Sequence, residues 1–178
     1  RMDSSRRDRP PLQEMGPSIS PPAGPPGRLV TVEMSRLPPS SSVHIGFGAL
    51  GGNQELLGLA DTDANGYLIT TVQIPSWATQ DLRNFFFLAH DDERQQPFAY
   101  SDEFHVTDED GVFTVEGRIT NEGTACTVMR SAEDRLYALT ALTQEYAPGT
   151  SVQVTGIHVE DPACLEGVGI QVLGIRPT

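Results

Sequence analysis

Residues 61–68 read DTDANGYL, and the kind of protein that follows depends on how they are read. Asp61, Asp63 and Asn65 on alternate positions ahead of Gly66 begin like a calcium loop. Asn65-Gly66 is also a strong short-range signal for the tight turn of a β-hairpin. An EF-hand loop opening at Asp61 needs a bidentate carboxylate at its twelfth position. That position is Val72, inside the alternating run Ile69, Thr71, Gln73. The flanking runs QELLGLA (54–60) and YLITTVQI (67–74) are both strand-like. The stretch is expected to be a hairpin turn, with a weak calcium site on Asp61, Asp63 and Asn65 as the alternative. No other cofactor is expected.

Working outward, the whole chain from residue 28 carries the same pattern: short apolar or alternating runs broken by Gly, Pro, Asn, Asp and Ser clusters. Strands are expected at 29–35, 43–49, 54–60, 67–74, 84–90 and 98–106, with a further short one near 17–20. Stretch 75–83 (PSWATQDLR) crosses between sheets, and Trp77, the only tryptophan, plugs that crossing. After a polar hinge at 107–111 (TDEDG) a second unit begins, with strands at 112–120, 124–130, 135–140, 151–159 and 168–176 and a short helix and turn within 141–150. No long amphipathic helix appears. The fold class is all-β: an Ig-like sandwich over 28–107, then a small OB-like Greek-key barrel over 111–178.

Composition narrows the function. The 178 residues carry 12 basic and 24 acidic side chains, and every basic residue is Arg. An acidic surface repels phosphates, so nucleic acid is not an expected partner. No apolar run approaches the ~18 residues of a membrane span, and no signal peptide is seen ahead of the body. The charge is uneven. Residues 1–20 hold four Arg against three acids, whereas the remainder holds eight Arg against 21 acids. The stretch RMDSSRRDRPPLQEMGPSISPPAGPPG (1–27) is proline-rich with little to bury, an extended arm. It is either a solvated leader or a segment that docks on a neighbouring subunit, with Leu12, Met15 and Ile19 as apolar anchors and Arg6, Arg7 and Arg9 as cationic ones.

Cys126 and Cys164 have neither C-x-x-C spacing nor histidines at zinc-finger distances, so a structural metal is not expected. In an extracytoplasmic chain they would form one disulfide; in a cytoplasmic one they would be two buried thiols.

Two segments resemble known families. ISPPAGPPGRLVTV (19–32), LPPSSSVHIGFG (37–48) and TDANGYLITTVQIP (62–75) resemble the IPT/TIG-like immunoglobulin repeats of bacterial surface proteins. VEGRITNEGTACTVMR (115–130), LYALT (136–140), APGTSVQVTG (147–156) and CLEGVGIQVLGI (164–175) resemble an uncharacterised OB-like barrel domain of exported bacterial proteins. The second resemblance includes both cysteines and implies the disulfide. Together they imply an extracellular, cell-surface or periplasmic protein built for binding, spacing or assembly, and neither brings a catalytic residue.

The residues offer no better route to catalysis. There is no G-x-S-x-G elbow, no H-E-x-x-H and no Walker-type loop. His90-Asp91-Asp92-Glu93 is the densest polar cluster and reads as an acidic loop tip after the FFFL run. His44, His105 and His158 stand singly on strands. The expectation is a non-catalytic, self-assembling subunit of a surface or extracellular filament, homopolymeric through its arm. The alternative is a monomeric module that binds a saccharide, peptide or small ligand on the barrel face, with Tyr137 and Tyr146 as its aromatics.

Overall fold

The computed structural model of the chain describes residues 16–49, 51–160, 164 and 166–178. Among the described residues there are thirteen strands and no helix. The chain divides between Val106 and Thr107 into two compact units.

The first unit contains β1 (Ser18–Ser20), β2 (Ala23–Gly24), β3 (Leu29–Met34), β4 (Ser42–Ala49), β5 (Gln54–Asp61), β6 (Leu68–Gln73), β7 (Asn84–His90) and β8 (Pro97–Val106). They form a three-stranded sheet, β1-β3-β6, and a five-stranded sheet, β2-β8-β7-β4-β5. Strand periodicity decides which side chains meet between them. Val30 and Val32 of β3 and Leu68 and Val72 of β6 meet Ile45 and Phe47 of β4, Phe86 and Leu88 of β7 and Phe104 of β8. Phe47 sits edge-on to Phe86 and Phe104, with ring centroids 4.9 and 6.1 Å apart. The Phe85-Phe86-Phe87 run can place an aromatic on both faces because Phe87 lies over Gly46, where a Cβ would stand 2.2 Å from its ring.

Three expectations change here. Ile19 is not an anchor free for a neighbour: β1 pairs it with Val32, and its side chain packs on the core of its own sandwich. Residues 18–24 are thus part of the sandwich rather than of an arm ending at 27. Arg6, Arg7, Arg9, Leu12 and Met15 lie outside the described residues. The turn at 61–68 does not close a hairpin either, since β5 and β6 belong to different sheets. Its backbone bonds explain why: Leu37 N–H donates to Gly66 O, Ser40 N–H to Asp63 O and Thr62 N–H to Ser41 O, so the turn pairs with the 37–41 loop.

The second unit is a closed barrel of β9 (Val112–Thr120), β10 (Thr127–Ser131), β11 (Leu136–Thr140), β12 (Ser151–His158) and β13 (Val168–Pro177), in the order β10-β11-β13-β12-β9. Neighbours run antiparallel except β11 and β13, which are parallel. Phe113, Val115, Ile119, Met129, Tyr137, Leu139, Val152, Val154 and Ile170 are buried. Stretch 141–150 holds no helix. Ala141 sits at φ 65 and Gly149 at φ 95; the segment ends in a turn in which Thr150 N–H donates to Ala147 O, and Gly149 N–H donates to Ile119 O of β9.

Candidate functional site

The strand registers bring four separated segments to one end of the sandwich. Met34 closes β3 opposite Leu68, Ser42 opens β4 opposite Asp61, and Val43 pairs with His90 at the end of β7. Between the two sheets at this end lies a groove of about 520 Å³. Leu37, Val43 and Ala99 are buried in its floor, and Met34 and Phe98 are half-buried in its walls. Arg36 stands on one lip and His90, Asp91 and Asp92 on the other.

Each lip is pinned. On the first, Thr62 Oγ1 donates to Pro38 O at 2.6 Å and accepts from Ser41 N–H at 2.8 Å. Gly66, at φ +79, packs so closely that a Cβ would lie 2.0 Å from Leu37 O. The DTDANGYL stretch thus fixes the wall of the groove. On the second lip, Asp92 Oδ1 accepts from the N–H groups of Arg94 and Gln95 at 3.0 and 2.9 Å. His44 Nε2 meets Asp91 Oδ1 at 3.1 Å, and the His90 ring stacks on Phe98 with centroids 4.5 Å apart. Among the described residues Arg36 has no ion-pair partner.

Next to the groove is a hollow of about 420 Å³ that shares Met34 and Arg36 with it and is also lined by Gly16, Glu33 and Tyr67. Tyr67 Oη donates to Glu33 Oε2. That bond, then burial and the charges of Glu33 and Asp63, raises the Tyr67 phenol above its ordinary value. Gly16 leads into β1, so the chain reaches the sandwich at the end where the groove opens.

Both carboxylates among the calcium candidates hold loops by hydrogen bonds. Asp61 Oδ1 accepts from the Ser42 hydroxyl at 2.6 Å. Asp63 Oδ1 accepts from Asn65 N–H and Tyr67 N–H at 2.8 and 2.9 Å, closing an Asx turn. Among the described residues no group of three or more His, Cys, Asp or Glu could hold a metal ion. Trp77 packs on Phe47, with centroids 5.9 Å apart, and its Nε1–H donates to Glu55 at 2.7 Å beside a cleft of about 550 Å³.

In the barrel, Cys126 and Cys164 are joined by a disulfide. Register places Met129 with Ile119 inside, so Val128, opposite Thr120, points outward. Val128 and Ala138 are nevertheless fully buried on that outer face, in a second apolar cluster with Cys164, Cys126 and Leu136. Tyr137, expected as a surface aromatic, is inside the barrel at 1% exposure. His105 is buried, and desolvation holds the His158 imidazole below its ordinary pKa, with Glu160 opposing and Arg135 adding to the effect.

Sequence reasoning singled out His90, Asp91 and Asp92 as a cluster but missed Arg36, Leu37, Val43 and Phe98. The local signals for these were the LPPSSS run ahead of β4 and the aromatic that directly follows DDERQQP.

No family model matches the chain, and no curated protein matches it. Among solved structures, macromomycin is 19% identical with a TM-score of 0.41, over 52% of this chain and 98% of its own. A likeness at that level implies neither a shared site nor a shared activity.

Proposed function

We propose that the chain is a non-catalytic interaction protein of an extracytoplasmic compartment, an Ig-like sandwich joined to an OB-like barrel, that associates with copies of itself through residues 1–15. The observation that carries this is the open groove at the end of the sandwich where Gly16 leads into β1. Its floor is apolar and its lips are charged, as a receptor for a mixed Arg and Leu/Met segment would be. The polar side chains around it are engaged in holding loops: Ser42 to Asp61, His44 to Asp91, Asp92 to the backbone. That occupation suits binding better than proton transfer.

The barrel order and its single parallel pair support the OB-like assignment, and two packed, largely antiparallel sheets support the Ig-like one. The disulfide supports an oxidising compartment, extracellular or periplasmic. Ligand binding on the barrel has less behind it. The outer face of β10 and β11, which barrels of this kind use, is taken up by the Val128, Ala138 and Cys164 cluster.

Sedimentation velocity on the full chain tests the proposal. Wild type should exceed monomer mass in a concentration-dependent way, and L12D/M15D should run as a monomer. A wild type that stays monomeric at every concentration overturns it.

A further inference from the structure

We infer that the groove at the Gly16 end of the sandwich is the receptor for residues 1–15 of a second copy, exchanged reciprocally, so that assembly closes as a two-fold pair. The inference rests on the self-association proposed above and adds to it the site and the symmetry.

The first support is chemical fit. The segment RMDSSRRDRPPLQEM brings two apolar side chains, Leu12 and Met15, on the groove side of a cationic run, Arg6, Arg7 and Arg9. The groove offers an apolar floor with exposed Asp91 and Asp92 on its far lip, each with one oxygen engaged, by His44 and by backbone N–H groups respectively. Glu14 falls between the anchors, where the near lip presents Arg36. Arg9 lies seven positions before Gly16, a reach of roughly 23–25 Å when extended, enough to cross an inter-sheet gap of about 10 Å.

The second support is placement. Gly16 borders the hollow that shares Met34 and Arg36 with the groove, so root and receptor lie at one end of the sandwich. Two copies meeting at that end can each give and receive a segment, and such an isologous contact closes. A filament needs root and receptor at different ends. Pro10 and Pro11 stiffen the segment towards extended backbone, which suits a reach to a facing copy.

The third support is electrostatic. The chain carries a formal net charge of −12, so two copies repel unless positive charge enters the contact. The Arg run supplies it opposite Asp91 and Asp92.

A charge exchange in the full chain tests the site. R6D/R7D/R9D and D91R should each weaken the dimer at least roughly tenfold, and the chain carrying both sets should recover it; Asp92 is left in place because its carboxylate holds the lip through the N–H groups of Arg94 and Gln95. Unfolding curves for every variant exclude loss of the fold as the cause. If D91R dimerises like wild type while L12D/M15D does not, self-association stands and the groove is not its receptor. If the combined chain is no stronger than either parent set, the pairing is wrong. Species that grow beyond a dimer with concentration overturn the two-fold exchange, and a wild-type monomer overturns this inference and the self-association together.

Discussion

One five-residue turn recurs along this chain. In Asp63-Ala64-Asn65-Gly66-Tyr67 the first residue's N–H donates to the carbonyl of the fifth, the Gly N–H donates back to the Asp carbonyl, and Asp63 Oδ1 takes the N–H groups of Asn65 and Tyr67. Asp108-Glu109-Asp110-Gly111-Val112 makes the same set of bonds. Ser131–Arg135 repeats the backbone pattern with Ser131 as the acceptor and Asp134 at φ 68 where the others have Gly. Both glycines are left-handed, at φ +79 and +85, but their surroundings differ. Gly111 has open space where a Cβ would go, whereas Gly66 faces Leu37 O at 2.0 Å. Gly111→Ala should therefore cost about 1 kcal/mol, the conformational penalty alone. Gly66→Ala should cost about 3 kcal/mol or more, because the 37–41 lip must move as well. Urea denaturation of both variants measures this, and equal losses would refute the role given to Gly66 in holding the groove.

At the scale of elements, the strands were legible because alternation is a local property. Val30 and Val32, or Phe113, Val115 and Ile119, show their inward face in the sequence itself. What was not legible depends on partners far away in the chain. The 61–68 turn looks like a hairpin until its bonds to residues 37–41 are known, and the parallel contact of β11 with β13 has no local signature. The groove belongs to the same class, since its lips come from segments some fifty residues apart. In the barrel, the Cys126–Cys164 loop spans 38 residues, and C126S/C164S should lose roughly 4 kcal/mol of barrel stability by chain entropy. A loss near zero on chemical denaturation would mean that the apolar cluster beneath it suffices without the bond. Acid should weaken the barrel in two stages. The folded state holds His158 below its ordinary value of 6.5, so the unfolded chain takes up protons first and stability falls as pH drops below about 6.5. Glu122 is held low by the Arg130 guanidinium, at 2.7 and 2.8 Å, so its contribution is lost later, as pH falls from the ordinary carboxylate range through the lowered folded value. His158→Gln should flatten the first stage and leave the second, which a series of melting curves between about pH 7 and 2 would resolve.

For the whole molecule, 24 acids against 12 arginines set two responses to salt of opposite sign. Raising sodium chloride from about 20 mM to about 500 mM screens self-repulsion and should raise the melting temperature. The same change should weaken the dimer, because the contact between the Arg run and Asp91 and Asp92 is screened too. A dimer strengthened by salt would point to an apolar interface without that charge pairing. The central claim is that the groove is filled by another molecule's segment rather than by the chain's own. Hydrogen exchange at the backbone amides of residues 40–42 and 90–94, followed on the full chain as its concentration rises, tests this most directly. The Ser40, Ser41, His90 and Arg94 N–H groups are already bonded within the chain, so the change with concentration is what decides. Protection should climb above its dilute value as concentration rises in wild type and stay at that value in L12D/M15D. Protection in wild type that does not change as copies are added would contradict it.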